Sequence, residues 1–439
     1  MTIELPPVHE AWLPREHSLH RPRHGKRQLT ALISALVFLA TPTLMWVFGM
    51  RPSEIENHEL ASFPSVSDGW GLFTGMEGWA TDNLVFREEA ISAADWVSRT
   101  FFGEPAPFDQ GGGTPTGPLP GTPGEQDTKP GDEEDTPVQG PSDGQEQAGF
   151  RTVVEGEDGW LYYGSDALSK CRPTKPLAQT IGQLAKLRDV VERSGREFVL
   201  VLVPDKTTMV PEHLPETYPG KDCAAPVTPE LWQQSIAVAG GLDMRPRLAA
   251  AAERHDKPMY YPLDTHWTAE GALEMVKGVA LEVKPEVADD WRIQVKSRDK
   301  VTADLPRLIG QKGENNVTNY RFKPDGRYDR ARKNIVDMVE PKHYDSKDLP
   351  GMVYAPTAVL GDSFLVNASG YLPAAFADLT MQYYRSAGNR PDEVVGTIRD
   401  AEIVVLEVVE RNVAAGVIDL LDQSFLDRLD QELQKHPVR

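Results

Sequence analysis

Residues 150–439 are predicted to fold as an α/β domain with a mostly parallel sheet flanked by helices. Three observations predict it. The run 197–203 (EFVLVLV) is almost continuously apolar, as a strand buried on both faces must be. Segments of helical periodicity lie on either side of it, at 181–194 and 232–252. The same strand-then-helix order recurs at 259, 353 and 403, and such alternation gives a parallel sheet covered by helices. In open sheets of this kind, ligands gather at the carboxyl ends of the strands.

Two strings fall at such ends. The run 353–360 (VYAPTAVL), interrupted by Pro356, leads into Gly361-Asp362-Ser363-Phe364 and the mixed segment 364–376, which reads as strand, sharp turn, helix. The turn lifts Ser363 clear of the sheet, and its N–H, at the start of a helix, points where an oxyanion forms. The run 259–263 (MYYPL) leads into Asp264-Thr265-His266-Trp267, after which 268–283 has helical spacing with Thr268 as N-cap. In an extended segment, residues two apart face the same way, about 7 Å apart at Cα. Asp264 can therefore hold one ring nitrogen of His266 while the other faces Ser363.

These are the parts of an acyl-transfer site. A serine hydroxyl attacks well only when a base takes its proton, and imidazole, with an ordinary pKa of about 6.5, suits that role at neutral pH. A carboxylate fixes the tautomer and stabilises the imidazolium. Alone, a Gly-Asp-Ser is common, and Asp-x-His is equally a pair of metal ligands or a turn in which Asp264 caps the next helix. Together, at two strand-to-helix switches, they favour the triad, and no metal centre is expected. Leu365 stands where the α/β-hydrolase elbow requires Gly, which disfavours that fold.

The same strings resemble a known family. Gly361-Asp362-Ser363-Phe364 resembles the nucleophile block of SGNH hydrolases, and its place after Asp264-Thr265-His266-Trp267 matches the permuted order of the AlgX/AlgJ-type polysaccharide (alginate) O-acetyltransferases. Segments 54–64 (EIENHELASFP) and 82–87 (DNLVFR) resemble that family's membrane-proximal part, and 156–163 (GEDGWLYY) its domain-opening motif. Val203-Pro204-Asp205-Lys206 resembles its Pro-x-Lys turn and 403–412 (IVVLEVVERN) its closing strand. The resemblance covers about residues 51–100 and 150–420. It implies an SGNH hydrolase-like fold with Ser363 as nucleophile, His266 as base and Asp264 as orienting carboxylate.

The sequence departs from ordinary SGNH enzymes, which carry Asp-x-x-His after the serine and draw oxyanion donors from a separate Gly and Asn. No residue is assigned to those donors here. Arg385, Tyr384, Arg411 and Asn367 are the candidate substrate contacts. Beside that reading stand a surface role for Arg385 and Asn367, and a structural ion pair for Glu410 and Arg411.

The 439-residue chain has a formal charge of −20, which disfavours nucleic acid as a partner. Residues 29–50 carry 22 residues without a charge, enough at about 1.5 Å each to cross a hydrocarbon core of about 30 Å. Arg15, Arg21, Arg23, Lys26 and Arg27 precede the run, and Glu54, Glu56 and Glu59 follow it. The basic side stays in the cytoplasm, so the remainder is expected outside. A cleaved signal peptide is the alternative, but the run is long and no small-x-small site follows.

The expected organisation is a cytoplasmic basic tail (1–28), a single transmembrane anchor (29–50), a membrane-proximal helical segment (51–102), a disordered linker (103–149) and the catalytic domain (150–439). The linker, rich in Gly, Pro, Thr and acidic residues, has too little apolar surface to offset ordering and reaches about 35–40 Å as a coil. Cys171 and Cys223, an even pair in the exported part, are expected to form a disulfide. Residues 296–350 form a charged insertion without an assigned place.

The expected function is transfer of acetyl groups to hydroxyls of a cell-surface or exported polysaccharide through an acetyl-Ser363 intermediate. No cofactor is expected, because no coenzyme A site is visible. The resemblance implies a multispanning membrane-bound O-acyltransferase that supplies acetyl from across the membrane. An acetyl esterase acting on glycans, a non-catalytic glycan-binding assembly protein and a metal-dependent hydrolase are the alternatives.

Overall fold

The structure, a computed structural model, describes residues 26–47 and 150–438. These stretches belong to separate compact units. The first is one helix, Lys26–Val47. It starts on two cations, and among the described residues no helix is long and apolar enough to cross a membrane, so the structure does not supply the anchor expected at 29–50. The expected segments 51–102 and 103–149 lie outside the described residues.

The second unit is built on a six-stranded sheet. Its strands are β3 (Glu197–Val203), β4 (Leu242–Asp243), β7 (Lys342–Asp345), β8 (Thr357–Gly361), β9 (Asp378–Tyr383) and β10 (Ile403–Val409). The small strands β1 (Val153–Glu155) and β2 (Leu161–Tyr163) pair with each other, as do the long β5 (Arg292–Thr302) and β6 (Glu314–Lys323). The main sheet runs β4-β3-β10-β8-β9-β7, parallel throughout except for β7, which is antiparallel to β9 at the edge.

The apolar runs in the centre follow from burial on both faces. Val199, Val201 and Val203 of β3 and Val405 and Val409 of β10 enter one core, with helix Ala269–Val283. Leu200 and Leu202, with Val404, Leu406 and Val408, enter the other, against helices Leu177–Arg193, Pro391–Arg399 and Gln423–Lys435. Each such side chain contributes roughly 1.5–3 kcal/mol when fully buried.

Three expected elements differ. The run 259–263 is not a strand. Pro262 has no N–H to give a ladder, and only a bridge between Tyr260 and Trp267 forms, closing a tight loop. The helix expected over 232–252 is two helices, Lys221–Ala237 and Arg245–His255, divided at Gly240, whose φ of 73° is left-handed, and at β4. The segment after Ser363 is two short helices, Leu365–Ser369 and Leu372–Ala375. The insertion now has a place: β5, helix Asp304–Leu308 and β6 form an arm beside the 264–266 loop, and β7 completes the sheet.

Cys171 and Cys223 are disulfide-bonded, joining helix Ser165–Cys171 to Lys221–Ala237. Closing a loop of 52 residues removes chain entropy worth on the order of 4 kcal/mol. Replacing both cysteines by serine is expected to lower the urea midpoint accordingly; an unchanged midpoint would show that the bond adds nothing.

Candidate active site

Ser363 stands two residues beyond the end of β8. The turn is set by Asp362, whose Oδ1 accepts from Phe364 N (3.0 Å) and whose Oδ2 accepts from Val409 N (3.0 Å) and Asn412 Nδ2 (3.1 Å). Asp362 thus ties the end of β8 to the end of β10. Gly361 is required by close approach, since a Cβ there would lie 2.5 Å from Glu407 Oε2 and 2.9 Å from Leu365 Cβ. The Ser363 N–H makes no hydrogen bond among the described residues.

The loop between Tyr260 and Trp267 brings the other two groups. His266 Nε2 lies 2.8 Å from Ser363 Oγ, and His266 Nδ1 lies 2.8 Å from Asp264 Oδ1. The same oxygen accepts from His266 N at 3.1 Å, so one carboxylate fixes both backbone and ring. Thr268 caps the next helix, its Oγ1 accepting from Gly271 N at 3.3 Å. Trp267 Nε1 donates to Phe364 O at 3.1 Å, and the rings of His266 and Phe364 lie 4.8 Å apart, locking the loop against the serine turn.

Three supporting residues carried no assigned role from sequence. Lys206 donates to the carbonyl oxygens of Leu161 (2.6 Å), Pro262 (2.8 Å) and Asp264 (3.1 Å). The Pro-x-Lys turn and the Gly-Trp-Leu-Tyr motif therefore converge on holding the histidine loop. The second oxygen of Asp264 accepts from Asp304 N and from Asn315 Nδ2, both at 3.3 Å. Asp304 also accepts from Thr265 N (2.9 Å), and its Oδ2 lies 3.5 Å from His266 Nδ1. Asp304 and Asn315 come from the arm, 40 and 51 residues beyond Asp264. No local pattern marks them.

The electrostatics follow from this packing. Burial works against charge on His266, but the hydrogen bond and charge of Asp264, with Asp304 behind it, win and hold the imidazole above its ordinary value. Burial would raise Asp264 too; its bond to His266 and the imidazolium charge hold it below the usual carboxylate range instead. Burial and the neighbouring Asp264 push Asp304 up to about 6, while burial brings Lys206 down to about 7 against the pull of nearby carboxylates. Among the described residues, Asp264, His266 and Asp304 have ligand atoms close enough, within 4.8 Å, to hold a cation. A cation on Nδ1 would displace the Asp264 bond.

Ser363 and His266 open onto a cavity of about 410 Å³, bounded by the arm on one side and by Asn334, Val336, Val366 and Asn367 on the other. Of the expected substrate contacts, only Asn367 lines it. Tyr384 and Arg411 are each 1% exposed. Tyr384 Oη accepts from Asn412 Nδ2 at 2.7 Å, and Arg411 is paired with Asp205 (3.2 Å) and Asp166 (3.5 Å). As contacts to a polymer both are corrected to structural residues, because no surface of theirs is left. Arg385 is half-buried and stacked over Tyr383, 4.7 Å from the ring centre, and it does not line the cavity.

Comparison with known proteins agrees with this architecture. Residues 153–395 match the family model described as "SGNH hydrolase-like domain, acetyltransferase AlgX", more than half of the chain. The chain belongs to this family. Among curated relatives of this AlgX-family chain, the probable alginate O-acetylase AlgJ of Pseudomonas syringae pv. tomato is 32% identical over 125 residues, covering 27% of this chain and 30% of that protein. That of Pseudomonas aeruginosa is 28% identical over 138 residues, covering 30% and 33%. The chain spans about a third of the length of the curated relatives it matches. Among solved structures, the O-acetyltransferase domain of Pseudomonas putida AlgJ is 19% identical with a TM-score of 0.45, covering 64% of this chain and 98% of that one. Bacillus cereus PatB1 with a sulfonyl adduct is 13% identical with a TM-score of 0.40, covering 60% and 95%.

Proposed function

We propose that this AlgX-family protein transfers acetyl groups to hydroxyls of a polysaccharide outside the cytoplasm, through an acetyl-serine. The observation that carries this is the unbroken line Asp264 Oδ1, His266 Nδ1, His266 Nε2, Ser363 Oγ, with 2.8 Å at each hydrogen bond. Ser363 Oγ attacks the acetyl carbonyl as its proton passes to His266 Nε2, and that proton leaves with the donor's departing group. A sugar hydroxyl then attacks the acetyl-serine, gives its proton to Nε2, and the serine departs by taking it back. The Ser363 N–H is the oxyanion donor this scheme uses.

The proposal places the donor outside the chain. A multispanning membrane-bound O-acyltransferase would present the acetyl group, and an anchor at 29–50 would keep the domain near it. The uncharged run supports that anchor, as do Leu29, Leu32, Ile33, Leu36 and Val37, each 51–61% exposed on their helix. Carbonate washing that frees the full chain from membranes would remove the anchor from the reading.

The test of the chemistry is incubation of the full chain with p-nitrophenyl acetate, with and without oligosaccharides. Acetyl found on Ser363 by mass spectrometry and moved to a glycan supports transfer. Acetate released at a rate no acceptor diverts would make the protein an esterase.

A pH profile follows from His266. The base must be neutral, and its pKa is raised, so activity is expected to rise with pH through a limb above the ordinary histidine value of about 6.5. Asp304→Asn removes a negative charge 3.5 Å from Nδ1, so the limb is expected to move to lower pH. The backbone N–H of residue 304 still donates to Asp264 and an Asn Oδ1 can still accept from Thr265 N, so the plateau kcat and KM are expected to change little beside the shift of the limb. A variant with the wild-type limb would show that Asp304 only packs.

A further inference from the structure

The wall of the cavity presents hydrogen-bond acceptors. Asn319 Nδ2 is committed to Asp299 Oδ2 (2.7 Å) and Ser297 Oγ (3.3 Å), Asn315 Nδ2 to Asp264 Oδ2 (3.3 Å), and Asn367 Nδ2 to the Trp267 carbonyl (3.0 Å). Asn319 has given both N–H groups to the protein, and Asn315 and Asn367 one each, which leaves all three carbonyl oxygens as acceptors and one N–H on each of the latter two. Asp304 Oδ2 is buried without a hydrogen-bond partner. The charges agree with this polarity: Asp264, Asp299 and Asp304 line the cavity, and besides His266 the cation in the lining is Arg307, which the protein already engages.

With three carboxylates and these three amide oxygens in the lining, such a wall favours a ligand that brings donors and no negative charge. Sugar hydroxyls do both. A uronate carboxylate does neither, because it only accepts and would meet like charges at close range. Alginate, the polymer in the names of the curated relatives, is a polyuronate.

We propose that the acceptor of this protein is an uncharged, hydroxyl-rich glycan, bound along the β5–β6 arm through Asp299, Asn315 and Asn319, and that polyuronates are rejected. This rests on the function proposed above and narrows its substrate.

The experiment is calorimetric binding to the full chain carrying Ser363→Ala, so that no turnover is needed. The probes are a neutral glucan hexasaccharide and a hexauronate of equal length. The neutral sugar is expected to bind at least about tenfold more tightly. Asp299→Arg in the same background should shrink that ratio at least about threefold, and Asp299→Asn, which keeps an acceptor for Asn319, should shrink it less. A hexauronate that binds as well or better, or a neutral sugar without measurable binding, overturns the inference. Failure of the underlying function reads out separately, as nitrophenolate release by the wild-type chain that does not depend on Ser363.

Discussion

Ser363→Ala is expected to abolish acetyl transfer, with a loss on the order of 10⁴- to 10⁶-fold, while the protein stays folded. In the proposed mechanism the Ser363 hydroxyl is the group that carries the acetyl, and the nearby polar side chains are committed elsewhere. Lys206 spends its N–H groups on three carbonyls, and Asp304 sits behind the histidine, away from Ser363. The structural cost is small, because Ser363 Oγ makes its one side-chain bond to His266, and losing such a bond costs about 1 kcal/mol. His266→Ala should match the serine variant, and the double variant should be no worse than either, since the two act as one unit. Rates with p-nitrophenyl acetate and an oligosaccharide acceptor, alongside a urea melt, check all three. A Ser363→Ala protein that retained more than about a tenth of the transfer rate would sink the acetyl-serine mechanism.

The second large effect is on stability. Behind the serine turn, Arg411 and Lys170 meet Asp166, Asp205 and Glu410, all buried. Lys170 is 2.8 Å from Asp205 and 2.9 Å from Glu410; Arg411 is 3.2 Å from Asp205 and 3.5 Å from Asp166. Arg411→Met keeps the length but leaves these carboxylates with Lys170 alone, and breaking a buried pair from one side costs about 3–5 kcal/mol. Asp166→Asn should cost far less. Burial and the charge of Asp205 already push Asp166 up to about 7, so near neutral pH much of it is uncharged and a neutral amide replaces it with little loss. Urea midpoints for the two variants test the contrast; equal losses would mean that packing, not charge, holds the cluster. Arg411 also lies over Phe364, 5.3 Å from the ring centre, and Phe364 packs on His266. The Met variant is therefore expected to lose activity as well as stability.

Much of the fold was legible because it rests on local pattern. β3 and β10 are apolar runs broken only by Glu197 at the start of the first and Glu407 within the second, as befits central parallel strands, and Thr268 announces the helix Ala269–Val283 through its own side chain. The string 259–263 misled, because the apolar Met259 and Tyr260 ahead of Pro262 read as a strand when they fill a core beneath a loop. Tyr384 and Arg411 misled for a related reason. A polar residue at a strand end looks the same in sequence whether it faces a cleft or a buried carboxylate.

What the chain's own order of residues determined is which reactive groups are present: a serine, a histidine and a carboxylate, each beside a turn. What only the tertiary structure decided is which groups hold that chemistry in place. Lys206, Asp304 and Asn315 act through hydrogen bonds to a loop dozens of residues away. Such bonds depend on where folding brings their partners, and short-range periodicity carries no record of it.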